Sequence, residues 1–506
     1  MQLQQGWGTM GKPVARAWGY ALVGAGFLLA TAPFLHTQGF GEPDSTAIGA
    51  GLLQGLLTGE GLAWPSLYGL RFSFAYYLAA FPLLRLLGLS PTGVILALNL
   101  SHLLTGLAAV LLLLALLARF LPLPWAGLAA LGFFLTPATW QLWTSSHPFG
   151  LALLSCLAAL LALDTALRAH TGRPALWALG GTLLLAFTLG CRPDVALLLP
   201  AYAGLLLYRR ELSWRPLALL SLSGLGAFLL FALVGEWALA GPVGTAPTRE
   251  MARLTGEFWS AGALLRGAAI STAAAGVGLC LLLAGGLAWT LGRRDWRTLG
   301  ACALWLAPSL LCWLGNPLPV RHFFLAAAGI GAWAVLLLRP RLPARSVALL
   351  LLPAGLLTLA VPTAARLLAG GRQDTGPPHH PLFYHALESQ LLDLHHWRHW
   401  QPRWQRFEAR APARVLLVGT WEDYTELVLY QGMRHRPCRV TKVRVGGQPL
   451  VRVAMPGRTV LWLESYGPGE TASGLARVGT SWPVVIARPH LAPAGPPASL
   501  VLRLPH

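Results

Sequence analysis

Glu42 and Asp44 flank Pro43 in the stretch 41–77, GEPDSTAIGAGLLQGLLTGEGLAWPSLYGLRFSFAYY, and carry the clearest chemistry in the chain. Proline fixes its own φ and biases the residue before it toward extended backbone. Two carboxylates two residues apart in extended chain project to the same side. Such a pair suits a general base, or a group that stabilises positive charge at a reacting carbon. No lysine or arginine lies between Leu35 and Leu70, while almost every later connection contains arginine. The plainer reading makes Asp44 the N-cap of a helix over 45–57 and Glu42 a solvated loop carboxylate.

Positive partners are scattered along the chain. Arg71 follows the acidic stretch, Arg192 and Asp194 flank Pro193, and Arg321 precedes His322. Arg-Pro-Asp is also a common way to open a helix, with proline in the first turn and an acid near the positive end. His147, before Pro148, is the one titratable residue of its loop and reads first as structural. His395 and His399 lie four apart, a spacing able to hold a metal on one helical face. No cysteine or HExxH partner accompanies them. The neighbouring Trp397, Trp400 and Trp404 instead suit a helix resting on lipid headgroups. Cys156, Cys191, Cys280, Cys302 and Cys312 sit in or beside apolar runs and Cys438 in the polar tail, without CxxC or zinc spacing.

The elements that must position these groups are membrane helices. Hydrophobic residues make up 55% of the 506 and charged residues 11%, a composition outside the soluble range. Apolar runs fall at 18–35, 93–118, 122–139, 149–167, 175–190, 194–208, 216–240, 266–291, 298–314, 322–338 and 346–368. The net charge of +19 is no nucleic-acid signature, because the arginines stand singly or in pairs at helix ends. Ala30-Thr31-Ala32 has only a weak likeness to a cleavage site, since Pro33 would follow the cut, so the first helix is expected to stay. If segment 68–87 crosses the membrane, Arg168, Arg173, Arg209, Arg210, Arg293, Arg294, Arg339, Arg341 and Arg345 fall outside. If it lies along the surface, they fall inside together with Arg119, as the positive-inside rule prefers. Arg71, Tyr76, Tyr77 and Arg85 suit that interfacial reading.

The expected architecture is an all-α polytopic bundle of about 11 spanning helices plus interfacial helices, with a small C-terminal α/β extramembrane domain. Its divisions are a transmembrane domain over 1–370 with an external loop at 36–92, a linker and His/Trp-rich helix over 371–410, and an α/β domain over 411–506. Strands are expected at 414–419, 439–445 and 459–463 and a helix at 421–432. GxGxxG and Walker patterns are absent, so nucleotide binding has no support.

This order of parts resembles the GT-C class of integral membrane glycosyltransferases, especially the branch of protein O-mannosyltransferases and aminoarabinose transferases. Gly41-Glu42-Pro43-Asp44 falls where that class has its acidic motif. Trp64-Pro65-Ser66-Leu67-Tyr68 falls where relatives have a proline-rich segment, and Asn316–Phe323 is similar to an arginine-plus-aromatic stretch opening a late helix. The resemblance covers about 10–370. It implies transfer of a sugar from a polyprenyl-phosphate-linked donor to a lipid, glycan or protein acceptor of the cell envelope. It places the protein in the cytoplasmic (inner) membrane, with the active site and C-terminal domain extracytoplasmic. It implies Asp44 and Glu42 as catalytic carboxylates, and Arg321, Arg71, Tyr68, Arg192, His147 and His322 as substrate-binding groups. Asp44 is expected to face a cavity with Arg321 and at least one of Arg71, Arg192 or His147. Where relatives carry a second acid in the next external loop, this chain has Ser145-Ser146-His147-Pro148, which leaves a divalent metal open. The competing readings are a transporter, which would show internal repeats and mid-membrane charges, and a non-catalytic glycosyltransferase-like scaffold.

Overall fold

The computed structural model describes residues 12–32, 35, 43–59, 74–136, 138–139, 143, 147–168, 173–239, 272, 274–313, 324–368, 396–465, 468–478, 482–487 and 501–503. The chain divides into two compact units. One is Met1–Leu35 with Ser101–Leu391, and the other is His36–Leu100 with Leu392–His506.

The first unit is helical. It contains α1 (Lys12–Thr31), while the second unit contains α2 (Pro43–Thr58) and α3 (Phe74–Leu87). The division falls within α4 (Pro91–Leu117). There follow α5 (Leu123–Phe134), α6 (Pro148–Arg168), α7 (Pro174–Cys191), a 3-10 turn (Pro193–Leu197), α8 (Leu198–Arg209) and α9 (Trp214–Leu239). The unit continues with α10 (Val277–Gly292), α11 (Trp296–Trp313), α12 (Phe324–Leu336) and α13 (Ala344–Leu368). Among the described residues four helical stretches are long and apolar enough to cross a membrane: Pro91–Leu117, Pro148–Arg168, Pro174–Cys191 and Trp214–Gly235. Prolines mark the starts of α4, α6 and α7, where a missing N–H costs no helix bond.

Small residues set the packing and reveal the helix directions. A Cβ on Gly19 would meet Leu123 and one on Gly127 would meet Val23, so α1 and α5 run parallel. Gly204 faces Ala301 and Gly300 faces Leu207, so α8 and α11 run antiparallel. Gly132 and Gly331 face each other, where a Cβ on Gly132 would lie 2.6 Å from the Gly331 carbonyl oxygen. α5 and α12 therefore touch through backbone, a contact typical of membrane helices, which gain little from burying apolar surface against one another. Gly331→Ala is expected to destabilise the protein by roughly 1–3 kcal/mol through overpacking. Gly180→Ala meets nothing within 4 Å and should be neutral or slightly stabilising. Thermal unfolding in detergent compares the two. Equal Tm values would contradict the backbone contact.

The arginine-rich ends are knitted together. Asp164, fully buried, accepts from Tyr202 Oη at 2.6 Å and Arg168 Nε at 2.9 Å, and pairs with Arg119. Arg168 also reaches Glu211 at 2.7 Å. Asp164 thus ties the C-terminal ends of α4 and α6 to the N-terminal half of α8, and Arg168 carries the link on to Glu211 beyond α8. Removing one member of such a buried network leaves the others uncompensated, which makes the cluster structural.

In the second unit, α14 (His396–Arg410) precedes β1 (Arg414–Gly419), α15 (Trp421–Met433), β2 (Arg439–Val445), β3 (Gln448–Met455), β4 (Arg458–Glu464), α16 (Pro468–Val478), β5 (Val484–Ile486) and β6 (Val501–Arg503). The sheet order is β2-β3-β4-β1-β5-β6. β1 is parallel to β4 and β5, whereas β3 is antiparallel to β2 and β4. β1 is central and buried from its second residue onward, as a near-continuous apolar run requires. A capping box of Thr420 and Asp423 starts α15.

Two expectations change. Of the segment expected at 68–87, the described helix is Phe74–Leu87. Its Tyr76 and Tyr77 are buried in protein rather than directed to water. Trp404, expected against headgroups, is fully buried and donates its indole N–H to Glu426 at 3.3 Å. In each case an apolar ring found protein to pack on, and composition cannot tell protein from lipid.

Candidate active site

At the end of the first unit away from those arginines, four segments bring polar groups together. α7 ends at Cys191, and Arg192 follows in extended conformation with φ −160°. Pro193 then turns the chain, so that Arg192 Nε pairs with Asp194 Oδ1 at 3.1 Å. Neither side chain is more than 15% exposed. The Arg192 guanidinium carbon lies 5.3 Å from the centre of the Phe324 ring, at the start of α12. Its Nη1 lies 2.9 Å from His147 Nε2, just before α6. The Phe149 and Phe324 rings pack with centroids 3.8 Å apart, joining the α6 and α12 N-termini.

His102 of α4 completes the cluster. It is buried, stacks on Trp143 at 5.1 Å, and accepts the His147 backbone N–H at Nδ1 at 3.3 Å. Gly150 admits this approach, because a Cβ there would lie 2.5 Å from His102 Cε1. Ser155 and Thr188 hydroxyls, 2.8 Å apart, and Cys156 Sγ donating to Val195 O at 3.6 Å, fix α6 against α7 and the 3-10 turn. The sequence reading took 93–118 only as an apolar run. The available signal was Asn99 and His102, polar, three apart, and both buried on one helix face.

Proton counting at His147 shows what this arrangement favours. Phe149 N–H donates to its Nδ1 at 3.1 Å while Arg192 Nη1 approaches its Nε2. A neutral imidazole has one bare nitrogen, and arginine only donates. The two contacts compete for that bare nitrogen, and the 2.9 Å approach of the guanidinium is satisfied when Nε2 accepts. The guanidinium carries its N–H donors in a planar fork, the geometry that makes arginine a phosphate ligand. Asp194 offsets part of the guanidinium charge but leaves its outer N–H edge directed at His147.

Of the other sequence candidates, Asp44 is the second residue of α2, inside its first turn rather than at its cap, and only its backbone is described. Glu42, Tyr68, Arg71, Arg321 and His322 lie outside the described residues, as does His395. The expected convergence of Asp44 with Arg321 therefore lies outside them too. Among the described residues no three His, Cys, Asp or Glu side chains converge to hold a metal ion.

No protein-family profile matches the chain, and no curated protein matches it in sequence. Its structure is similar to the crystal structure of ArnT from Cupriavidus metallidurans in the apo state. The TM-score is 0.50 at 15% identity, over 83% of this chain and 85% of that one. The chain shares the fold of that structure, and its long apolar helices make it an integral membrane protein.

Proposed function

We propose, from this fold, that the protein transfers a sugar from a polyprenyl-phosphate-linked donor to a lipid, glycan or protein acceptor of the cell envelope, on the outer face of the inner membrane. The observation that carries the reading is the Arg192 guanidinium, held by Asp194, His147 and Phe324 at one end of the helical unit, a cation suited to a phosphate oxygen. In the reaction the bond between the sugar's anomeric carbon and the phosphate oxygen breaks, and the acceptor oxygen takes its place. The acceptor's proton goes to Asp44, and the negative charge released on the polyprenyl phosphate is met by Arg192. Glu42, Tyr68, Arg71, Arg321 and His322 are proposed to line the donor and acceptor sites. These steps use the chain's own residues, and none is routed through a metal.

The direct test incubates purified protein with radiolabelled polyprenyl-phosphate sugars and envelope acceptors. Label entering the acceptor fraction supports the reading, and label remaining in the donor across a panel of sugars refutes it. Sidedness has its own test. Gln54 of α2 hydrogen-bonds the main chain around Val428 and Arg436, so α2 and the C-terminal sheet lie on one side of the membrane. Arginine placement supports taking that side as the outer one. Cysteines substituted at Thr58 and Ser473 should both react with an impermeant maleimide from the non-cytoplasmic face. Labelling of either only from the cytoplasm would overturn this orientation.

A further inference from the structure

Within the second unit, α2 is an apolar helix in which, among the described residues, the polar side chain of Gln54 is fully buried. Ile48, Ala50, Leu52 and Leu53 are buried with it. Leu53 sits against Gly432 of α15, where a Cβ would lie 2.8 Å from Leu53 Cδ2. The Gln54 amide uses both ends. Nε2 donates to Val428 O at 3.1 Å and to Arg436 O at 3.2 Å, and Oε1 accepts the Cys438 N–H at 2.8 Å. Arg436 O and Cys438 N belong to the turn between α15 and β2, main-chain groups that secondary structure leaves to be satisfied by other partners. The turn is itself fastened, since Arg434 and Arg436 both pair with Glu408 of α14. Burial pushes the Cys438 thiol up to about 12, so it stays protonated, and its Sγ adds a long 4.0 Å contact to the same Arg436 carbonyl.

A buried amide that reads three main-chain groups specifies the register of α2 on the C-terminal unit, which apolar packing alone does not do. We infer that the C-terminal unit serves to position α2, and with it Asp44, through Gln54. Asp44 lies ten residues earlier on the same helix, about 15 Å along its axis. A helix is stiff over that distance, so a slip or rotation at Gln54 is passed to the first turn. Gln54 is a positioning residue. The inference rests on the proposed role of Asp44 and gives the C-terminal unit a part in the same reaction.

The test uses the full-length protein with Gln54→Met, which keeps length and volume but makes none of the three hydrogen bonds. Gln54→Asn, one methylene shorter, serves if the Met variant does not fold. Two readouts are taken. Amide hydrogen exchange over 48–58 should accelerate about tenfold or more. Per folded molecule, kcat should fall about tenfold or more with donor KM within about twofold, since misplacing a catalytic group affects the chemical step and not donor binding. Unchanged exchange overturns the clamp. Faster exchange with unchanged kcat shows a structural contact only and overturns the positioning role. If wild type transfers no sugar, or Asp44→Asn transfers normally, the functional reading has failed while the exchange measurement still judges the clamp.

Discussion

Asp44→Asn is expected to lower sugar transfer by about 100-fold or more, while folded yield and Tm stay near those of the unmodified protein. The two halves of this expectation come from different magnitudes. Loss of a positioned general base typically costs about 100- to 10,000-fold in rate. The structural cost is small, because Asn is nearly isosteric with Asp. Asp44 stands in the first turn of α2, where a carboxylate's interaction with the helix dipole is worth about 0.3–1 kcal/mol. Among the described residues Ile48, Ala50, Leu52, Leu53 and Gln54 supply burial that holds α2 in place. Radiolabel transfer with purified variant and wild type, beside thermal unfolding, measures both. Wild-type turnover by Asp44→Asn would remove the carboxylate from the mechanism. A large fall in Tm with loss of transfer would make Asp44 a structural residue of the first turn of α2 instead.

Much of the fold was readable because the signals were long. Apolar runs at 93–118 and 216–240 became α4 at Pro91–Leu117 and α9 at Trp214–Leu239, and the Arg192–Asp194 break fell between α7 and the 3-10 turn. The strand at 414–419 matched β1, and the helix expected at 421–432 matched α15 to within a residue. Short or mixed elements were missed. β3, α16, β5 and β6 carry little periodicity, and their places depend on partners such as β4 and β1 that sequence does not name. The run at 122–139 became the shorter α5, Leu123–Phe134, because Thr136 and Thr139 hydroxyls bond each other at 2.8 Å and Thr139 also caps the Phe134 carbonyl at 2.9 Å. Local side-chain bonds of this kind compete with helix continuation.

The candidate site was legible by residue type but not by geometry. Arg192 and His147 were named, yet His147 read as a lone loop histidine. Its contact with Arg192, 45 positions away, arises only when α6 and α7 pack antiparallel. His102 and Gln54 were missed for one physical reason. Each is a buried polar residue in a largely apolar helix, and its meaning comes from what it faces. Trp143 and the His147 N–H give His102 its place. The open main chain around Cys438 gives Gln54 its place.

Arg192 offers the second large effect, and its partners allow binding to be separated from folding. Arg192→Ala should raise donor KM by about 30-fold or more, the equivalent of about 2 kcal/mol for a lost charge-assisted phosphate contact. Arg192→Lys should fall between, since a lysine keeps the charge but loses the planar fork that addresses Asp194 and an anion at once. The alternative is that Arg192 serves only to neutralise Asp194, with which it shares a half-buried site at 3.1 Å. Breaking such a pair from either side leaves a buried charge and destabilises the fold by a few kcal/mol. Asp194→Asn decides between them. It breaks the ion pair but leaves the guanidinium beside His147 and over Phe324. Under the phosphate reading Asp194→Asn keeps donor KM near wild type, because the guanidinium loses its competing anion, while Arg192→Ala does not. Under the ion-pair reading the two variants lose Tm and donor binding together. Steady-state kinetics over a donor titration, with Tm recorded on the same preparations, gives the answer, and matching defects in the two variants would refute a phosphate site at Arg192.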